Sequence, residues 1–384
     1  MFSDQHFVAP TAFDGVPDIL SEWQQDWPDM GVLILLPEAE KARVPLLQAM
    51  CRSKQVPVVG AIFPELITAS EFCGNGAWLL RFNQMPKHFL VEINPDSGAD
   101  GGAGLCAATN HILSSRCDGA VSQLMPTLFL IFDGMLPNIG SILYRLSANH
   151  EQAVTYCGVN AGSESFQPMS CLFDGERQIG SAALGLLIDH PVKTGVKHGY
   201  PVSKSLMQAT STTGNRIDQI NQRPAFEVYQ EVIKQEYGIE LTHQNFYEYA
   251  VHFPFGVVMT VDVLVRIPVA FNEDGSLVCV GEVQPNAMLR LLRAPILEQS
   301  ACVQEMAASL NDSSLGFESG RVALFYCAGR RMHFGNRAID EILALSAAIE
   351  CEHIAGALTL GEIDTDEDLM HLARFHNAAM VCLR

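Results

Sequence analysis

A strand–turn–helix–strand pattern close to the end of the chain most constrains its fold. Residues 321–363 read RVALFYCAGRRMHFGNRAIDEILALSAAIECEHIAGALTLGEI. The apolar run at 322–326 predicts a buried strand, the CAGRR segment predicts a tight corner, and a helix and a second apolar strand follow. A shorter copy, PVVGAIFPELI, occupies residues 57–67. Because a Gly-Ala pair and a later acidic–apolar pair recur in both copies, we predict a repeated α/β unit.

Other segments extend this pattern over the rest of the chain. Apolar runs at 31–36 and 127–132 predict buried strands, and apolar residues at helical spacing follow at 41–52 and 138–148. Strands alternate with helices in both halves, which predicts an α/β fold of mixed α+β layers. In it, two related lobes each contain a mixed sheet flanked by helices. At 384 residues the chain exceeds one average domain. We divide it into an N-terminal extension (1–28), a first domain (29–222) and a second domain (223–384).

The charge balance and the cysteines exclude several classes of protein. The chain has 24 Lys and Arg against 43 Asp and Glu, a net charge of −19, which disfavours binding to nucleic acid or to anionic membranes. No apolar run reaches the length of a membrane span, and the N-terminus lacks the features of a signal peptide. Eleven scattered cysteines without a CxxC motif are typical of reduced, buried thiols. We therefore expect a cytoplasmic protein that contacts neither nucleic acid nor membrane.

An ordered series of motifs carries a family resemblance over residues 30–365. After PVVGAIFPELI come HGYP, TSTTGNRI, RPAFEVY, NFYEYAVHFPFG and finally GEI, which begin at residues 198, 210, 223, 245 and 361. In this order they resemble the FIST family (F-box and intracellular signal transduction). The segment 29–222 is similar to its N-terminal domain, and 223–384 is similar to its C-terminal domain.

The resemblance implies a function as well as a fold. It implies a cytosolic sensory protein that binds a small ligand, usually thought to be amino-acid-like, and signals to a kinase or another output protein. One branch resembles haem-binding nitric-oxide sensors that act with a histidine kinase. The expected partners are therefore a small-molecule ligand, either amino-acid-like or haem with nitric oxide, and a histidine kinase or other signalling protein. In that branch haem b would be the cofactor.

Candidate ligand-binding residues cluster in the second domain. Ligands of α/β proteins tend to bind at the carboxyl ends of strands, and the corner after residue 326 is such an end. An arginine there recognises a carboxylate through two parallel hydrogen bonds, although it could equally form a salt bridge within the protein. A glutamate in the GEI segment could accept a ligand amine or anchor a backbone turn. The candidates are Arg266, Cys327, Gly329, Arg330, Gly361 and Glu362.

Three histidines are candidates for the axial ligand that haem iron requires. His243 precedes an aromatic segment at 246–255 and His252 lies within it, and this segment is the most haem-like environment in the sequence. His198 lies in the segment that links the two domains. The alternative for each is an ordinary histidine that is hydrogen-bonded within the protein.

Two other functional classes remain open. An enzyme with Cys327 as nucleophile would need a base and a lowered thiol pKa. The closest histidine in sequence is His333, and no acid is placed to orient it, so a buried inert thiol is the alternative. We therefore expect no catalytic residues, no metal site beyond haem iron, and no enzymatic activity. A scaffold that binds only other proteins is the third hypothesis.

Overall fold

The structure is a computed structural model of the chain. It describes residues 1–68, 71–95, 101–115, 125–150, 153–189, 192–260, 262–311, 321–351, 353–366 and 372–383. Within these ranges the helices are α1 (Val16–Asp26), α2 (Val44–Ser53), α3 (Ala103–Ser114), α4 (Ile139–Asn149), α5 (Ala225–Tyr237), α6 (Phe246–Ala250), α7 (Cys302–Asn311), α8 (Ala328–Phe334) and α9 (Ala338–Ala348).

The strands of the first half are β1 (Asp4–Val8), β2 (Gly31–Pro37), β3 (Val58–Phe63), β4 (Leu66–Ile67), β5 (Phe72–Cys73), β6 (Ala77–Phe82), β7 (Lys87–Glu92), β8 (Thr127–Asp133), β9 (Thr155–Ala161), β10 (Leu172–Asp174), β11 (Gln178–Ile179), β12 (Ala182–Ile188) and β13 (Thr194–Lys197). Those of the second half are β14 (Met207–Thr213), β15 (Arg216–Ile220), β16 (Arg223–Pro224), β17 (Phe255–Val258), β18 (Val263–Arg266), β19 (Pro268–Phe271), β20 (Leu277–Cys279), β21 (Met288–Leu291), β22 (Arg321–Cys327), β23 (His353–Thr359), β24 (Glu362–Asp366), β25 (Leu372–His376) and β26 (Met380–Leu383).

Three of the sheets are built on the same unit, a parallel strand pair joined through a helical connection. The strand order is β1-β6-β2-β3-β10-β11 in the first sheet, β25-β24-β9-β8-β12-β7 in the second and β13-β26-β22-β23-β4-β5 in the third. The parallel pairs are β2–β3, β8–β9 and β22–β23. Two of these pairs contain the Gly-Ala copies seen in the sequence, at Gly60 and Gly356. The structure adds a third copy, in which Gly158 occupies the equivalent position of β9.

The three units exchange hairpins. After its second strand, each unit contributes a two-stranded hairpin to another sheet. The β4–β5 hairpin pairs with β23, β10–β11 pairs with β3, and β24–β25 pairs with β9. The second and third sheets therefore contain strands from both halves of the chain. The boundary predicted at residues 222–223 falls directly before β16.

The inner faces of the three sheets form one hydrophobic core. Phe63 of β3, Phe129 of β8 and Phe325 of β22 meet there, and the ring centroid of Phe325 lies 5.9 Å from each of the other two. The outer faces are covered by α1 and α2 on the first sheet, α3 and α4 on the second, and α7 and α9 on the third. Because both faces are buried, the central strands are continuous apolar runs and do not alternate with polar residues.

A fourth, antiparallel sheet completes the second half. Its strand order is β18-β17-β21-β14-β15-β20-β19, with β16 paired to β15, and it packs against α5 and α6. The predicted α/β class, with mixed sheets flanked by helices in both family domains, is confirmed. Among the described residues, none of the helices combines the length and the hydrophobicity that crossing a membrane requires.

Candidate functional site

A cavity of about 240 Å³ lies where the carboxyl ends of β22 and β23 face the fourth sheet. This volume falls just below the range of roughly 300–1,000 Å³ that is typical of drug-sized ligands, so it suits a smaller metabolite. Its walls come from α6, α8, β19 and the loops beside them. They are mainly apolar, and the larger side chains among them are Phe166, Tyr247, Val251, Ile267, Pro268, Val269, Val280, Met332 and Leu360.

One end of the cavity is polar and contains an asparagine without a partner. Cys327, Thr359 and Asn377 line this end. Asn377 is 1% exposed, and neither its Oδ1 nor its Nδ2 makes a hydrogen bond within the described part of the chain. The amide of Asn160, which is buried but does not line the cavity, also lacks hydrogen-bond partners on both atoms among the described residues. An unpaired buried amide costs about 1–3 kcal/mol, so this end of the cavity has unused hydrogen-bonding capacity for a ligand.

Glu362, a predicted ligand-binding residue, lies fully buried behind this polar end. Its Oε1 accepts a hydrogen bond from Thr359 Oγ1 at 2.6 Å, and its Oε2 accepts one from the Ala379 amide at 3.2 Å. Burial raises the pKa of Glu362 from 4.5 to about 8, and Thr359 and Arg330 offset the burial only in part. The carboxyl thus holds the backbone after residue 376 in place, next to Asn377.

The raised pKa of Glu362 predicts a specific dependence of stability on pH. The folded state keeps this proton at pH values where the unfolded chain has released it. The resulting stabilisation is complete below the unfolded pKa of 4.5 and is lost as the pH rises through about 8. Urea denaturation across this range should therefore show a loss of stability with rising pH that is much weaker in Glu362→Gln. Equal slopes for the two proteins would contradict the buried, protonated state.

Cys327 lines the cavity but is in the wrong state for a nucleophile. Burial raises the pKa of its thiol, and the neighbouring Glu362 carboxyl raises it further. Its Sγ accepts a hydrogen bond from the Ala378 amide at 3.1 Å. His333, the closest histidine in sequence, is bonded elsewhere, to His252 and to a backbone carbonyl. Burial therefore favours the neutral thiol of Cys327, although the Ala378 amide partly offsets it, and a neutral thiol is a weak nucleophile.

Arg330 is buried in an ion pair and does not line the cavity. Its Nε donates to Glu341 Oε2 at 2.7 Å, and its Nη1 donates to the carbonyl of Ala378 at 3.3 Å. Both side chains of the ion pair are fully buried. Burial opposes the charge of Arg330, but Glu341 more than offsets it and holds the pKa of the guanidinium above its usual range. The structure therefore uses this arginine to support the cavity wall.

Arg266 has a similar supporting position. Its guanidinium is buried and donates to the carbonyls of Glu282, Val265 and Phe375 at 2.9, 2.9 and 3.0 Å. Burial lowers its pKa to about 10, so it remains charged near neutral pH. These bonds join the fourth sheet to β25, which precedes the polar end of the cavity.

The two predicted glycines allow close packing around the cavity. A Cβ atom on Gly329 would lie 2.6 Å from Cδ1 of Ile267, and one on Gly361 would lie 2.4 Å from Cε2 of Phe375. Of the six predicted ligand-binding residues, the structure therefore places Cys327 and Gly329 on the cavity and the other four behind its walls.

Comparison with known families identifies the chain. The model described as FIST N domain matches residues 32–223, and the model described as FIST C domain matches residues 225–364. The chain belongs to the FIST family. The resemblance read from the sequence motifs is thereby confirmed. No curated protein matches the sequence significantly.

The haem-binding branch of FIST proteins would require an axial ligand, and two of the three candidates are poorly placed. His198 uses both ring nitrogens, since Nδ1 accepts from the Tyr200 amide at 3.0 Å and Nε2 lies 3.5 Å from Asp262 Oδ1. His243 is exposed and stacks on Phe271, with ring centroids 4.6 Å apart.

His252 is bonded to a second histidine. Its Nδ1 lies 2.7 Å from Nδ1 of His333, whose Nε2 lies 2.9 Å from the carbonyl of Pro295. A carbonyl only accepts, so His333 carries its proton on Nε2 and His252 donates from Nδ1 when both rings are neutral. No histidine is among the described residues that line the apolar cavity. The cavity therefore does not fit haem held by any of these three side chains.

Glu164, Thr359 and Asn377, which line the cavity, are polar residues that the sequence did not single out. The same holds for Asn160, whose backbone carbonyl accepts a hydrogen bond from the amide of the lining residue Leu360. Thr359 directly precedes the Leu360-Gly361-Glu362 segment, so its position next to a predicted motif was a usable signal. The two asparagines carried none. Whether a buried amide finds a hydrogen-bond partner depends on strands distant in sequence and not on its own neighbours.

Proposed function

We propose that this FIST protein is a cytoplasmic sensor that binds a small ligand in the apolar cavity and reports its presence to a signalling partner such as a histidine kinase. FIST domains are associated with signal transduction and small-ligand sensing, and the chain matches both of them. The observation that carries the proposal is Asn377, which lines the cavity and whose buried amide has no hydrogen-bond partner among the described residues. Such a group is costly unless something binds it.

The lining of the cavity indicates the chemistry of the ligand. The described side chains around it include the carboxyl group of Glu164 and no lysine, arginine or histidine. A ligand carboxylate would therefore lack a cationic partner, and burying an unpaired charge is expensive. Glu164 could pair with an amine, and Asn377 can both donate and accept. We propose a metabolite with an apolar body and an amide or amine end, such as an amino-acid amide, in preference to a free amino acid or haem.

The position of the cavity supports a route for the signal. One wall belongs to α8 and the third sheet, and the opposite wall belongs to α6 and the fourth sheet. Met332 and Tyr247 lie on these opposite walls and are 61% and 64% exposed. A ligand that draws the two walls together would change how these two side chains are presented. A partner that distinguishes the two arrangements would respond to the ligand.

Replacing Asn377 with leucine tests the proposal. The free Asn377→Leu protein should melt at a higher temperature than wild type, because no hydrogen bond within the described protein is lost and an unpaired amide is removed. At the same time its affinity for ligand should fall at least about tenfold, or roughly 1.4 kcal/mol. Thermal-shift measurements with small amides, amines, amino acids and haem check both expectations.

Asn245→Leu is the matched control. Asn245 does not line the cavity, and its amide donates to the carbonyl of Glu240 at 3.0 Å. This variant should melt at a lower temperature and keep the full ligand-induced shift. Unchanged ligand shifts in Asn377→Leu would refute the role of the cavity. An absence of any shift in wild type would favour a scaffold that binds only proteins, and a Soret band after expression with haem would favour the haem-sensing branch.

A further inference from the structure

A second, larger cavity of about 1,080 Å³ lies on the other side of the turn that joins β25 to β26. It is bounded by β13, α7, the ends of β24 and β25, and the segment 293–301. None of the residues that line the apolar cavity lines this one. The backbone between His376 and Asn377 separates the two cavities, since His376 lines the larger cavity and Asn377 lines the smaller one.

Two residues that line the larger cavity have a buried polar atom with no partner within the described ranges. Tyr200 is 4% exposed, and its hydroxyl makes no hydrogen bond with any residue that the structure describes. His376 is 3% exposed, and its Nδ1 is likewise unpaired among those residues. Buried hydroxyl and imidazole groups nearly always have a partner, so two exceptions in one cavity point to a ligand.

The contacts of His376 show which of its two ring nitrogens is available to a ligand. Its Nε2 lies 2.8 Å from Asp364 Oδ1, and Arg374 donates to the two oxygens of the same carboxylate at 3.0 and 2.7 Å. Burial alone would raise the pKa of Asp364, but His376 and Arg374 together hold it well below its usual range. The carboxylate therefore accepts a hydrogen bond from Nε2–H of His376, and Nδ1 is the ring nitrogen left without a partner among the described residues.

Tyr200 supplies the complementary donor. Burial raises the pKa of its hydroxyl, so the group stays protonated near neutral pH. The cavity thus presents a hydroxyl donor from Tyr200 and a ring nitrogen of His376 that is unpaired among the described residues. A ligand hydroxyl group can both accept and donate, so it matches this pair, whereas an apolar ligand would leave both groups unpaired.

The charges around the cavity favour an anion. Lys197 and Arg293 both line it, and neither forms an ion pair with a described carboxylate. Of the lining acids, Asp262 is paired with His198, Asp364 is paired with His376 and Arg374, and Glu305 is exposed. In a chain with a net charge of −19, Lys197 and Arg293, which have no acidic partner in the part of the chain that the structure describes, form a local site for negative charge.

We propose that this cavity is a second ligand site that takes a small hydroxylated anion. A hydroxyl group of the ligand binds between Tyr200 and His376, and its carboxylate or phosphate group binds toward Lys197 and Arg293. The volume, at the upper end of the usual range for small-molecule sites, accommodates such a polar metabolite. This site is independent of the apolar cavity, so neither proposal depends on the other.

Tyr200→Phe tests the site with the smallest possible change. Isothermal titration of the full chain should detect binding of citrate or glucose 6-phosphate, which distinguishes a carboxylate from a phosphate ligand, and weaker binding of glucose. In Tyr200→Phe the affinity for the bound anion should fall at least about tenfold, as expected for a lost buried hydrogen bond. The melting temperature of the free variant should not fall, because the hydroxyl has no partner among the described residues.

Two further variants keep the test decisive. Lys197→Ala should weaken binding of the same anion, while the contact between the ligand hydroxyl and Tyr200 remains. Tyr144→Phe is the control, since Tyr144 is 65% exposed and does not line the cavity. The proposal fails if neither hydroxylated anion binds, or if inorganic phosphate alone binds as tightly as glucose 6-phosphate. It also fails if Tyr200→Phe binds like wild type or is itself destabilised, since the hydroxyl would then be structural.

Discussion

Gly356→Ala should destabilise the folded state by more than about 4 kcal/mol, which is at the extreme of single substitutions. Gly356 lies opposite Leu324 in the parallel pair β22–β23. A Cβ atom at this position would lie 1.7 Å from the carbonyl oxygen of Leu324. That oxygen belongs to the backbone of a central strand, so it cannot move aside without breaking the sheet. Urea denaturation, together with the yield of soluble protein, measures the effect.

The same prediction applies to the two glycines at equivalent positions, Gly158 and Gly60. A Cβ atom on Gly158 would lie 2.1 Å from the Leu130 oxygen, and one on Gly60 would lie 2.6 Å from the Ile34 oxygen. We expect all three alanine variants to be strongly destabilised, with Gly356→Ala affected most. Gly15→Ala is the control, because nothing lies within 4 Å of its added Cβ. If Gly356→Ala denatures at nearly the same urea concentration as Gly15→Ala, the repeated close approach of the strands is wrong.

Glu341→Ala should cost about 3–5 kcal/mol, because it leaves the guanidinium of Arg330 buried without its counter-charge. The exposed fraction of both side chains is 0%. The loss also removes the acceptor of the Tyr326 hydroxyl, which lies 2.7 Å from Glu341 Oε2. The free energy of unfolding in urea measures the change. The double variant Arg330→Met with Glu341→Leu should recover much of the stability, since both charges are then absent.

An exposed ion pair provides the control for this prediction. Glu298 pairs with Arg337, and their side chains are 60% and 55% exposed. Because water screens such a pair, Glu298→Ala should lower the free energy of unfolding far less than Glu341→Ala does. A Glu341→Ala protein as stable as Glu298→Ala would show that the charge of Arg330 reaches solvent, and the support that Arg330 gives to the cavity wall would be in doubt.

The architecture of each unit was accessible from local sequence because its strands are buried on both faces. The runs at 31–36, 127–132 and 322–326 are continuous and apolar, and they form β2, β8 and β22. The third Gly-containing unit is not apparent from the sequence, because its second strand reads TYCGVNA and lacks the Gly-Ala pair of the other two copies. Gly158 is equivalent to Gly60 and Gly356 because it pairs with the same position of the neighbouring parallel strand, and not because the adjacent residues in sequence are alike.

The candidate site could be predicted from the sequence only in part, for a related reason. The corner at 327–331 correctly pointed to the carboxyl end of β22, where Cys327 and Gly329 line the apolar cavity. Arg330 looked equally suited to a ligand, but its partner Glu341 lies on α9, and only the folded structure brings the two into contact. Residue type indicated a charge, and the packing of helix against sheet decided what it would pair with.

By itself, the sequence determined the α/β class, the strands and helices of each unit and membership of the FIST family, because these depend on local periodicity and on the order of motifs. Only the tertiary structure decided the exchange of hairpins among three sheets and the burial of Arg330. It also decided that polar atoms of Asn377, Tyr200 and His376 find no partner among the described residues. Each of these depends on residues that are far apart in the chain, and the pairing of buried polar groups is settled only when distant strands meet.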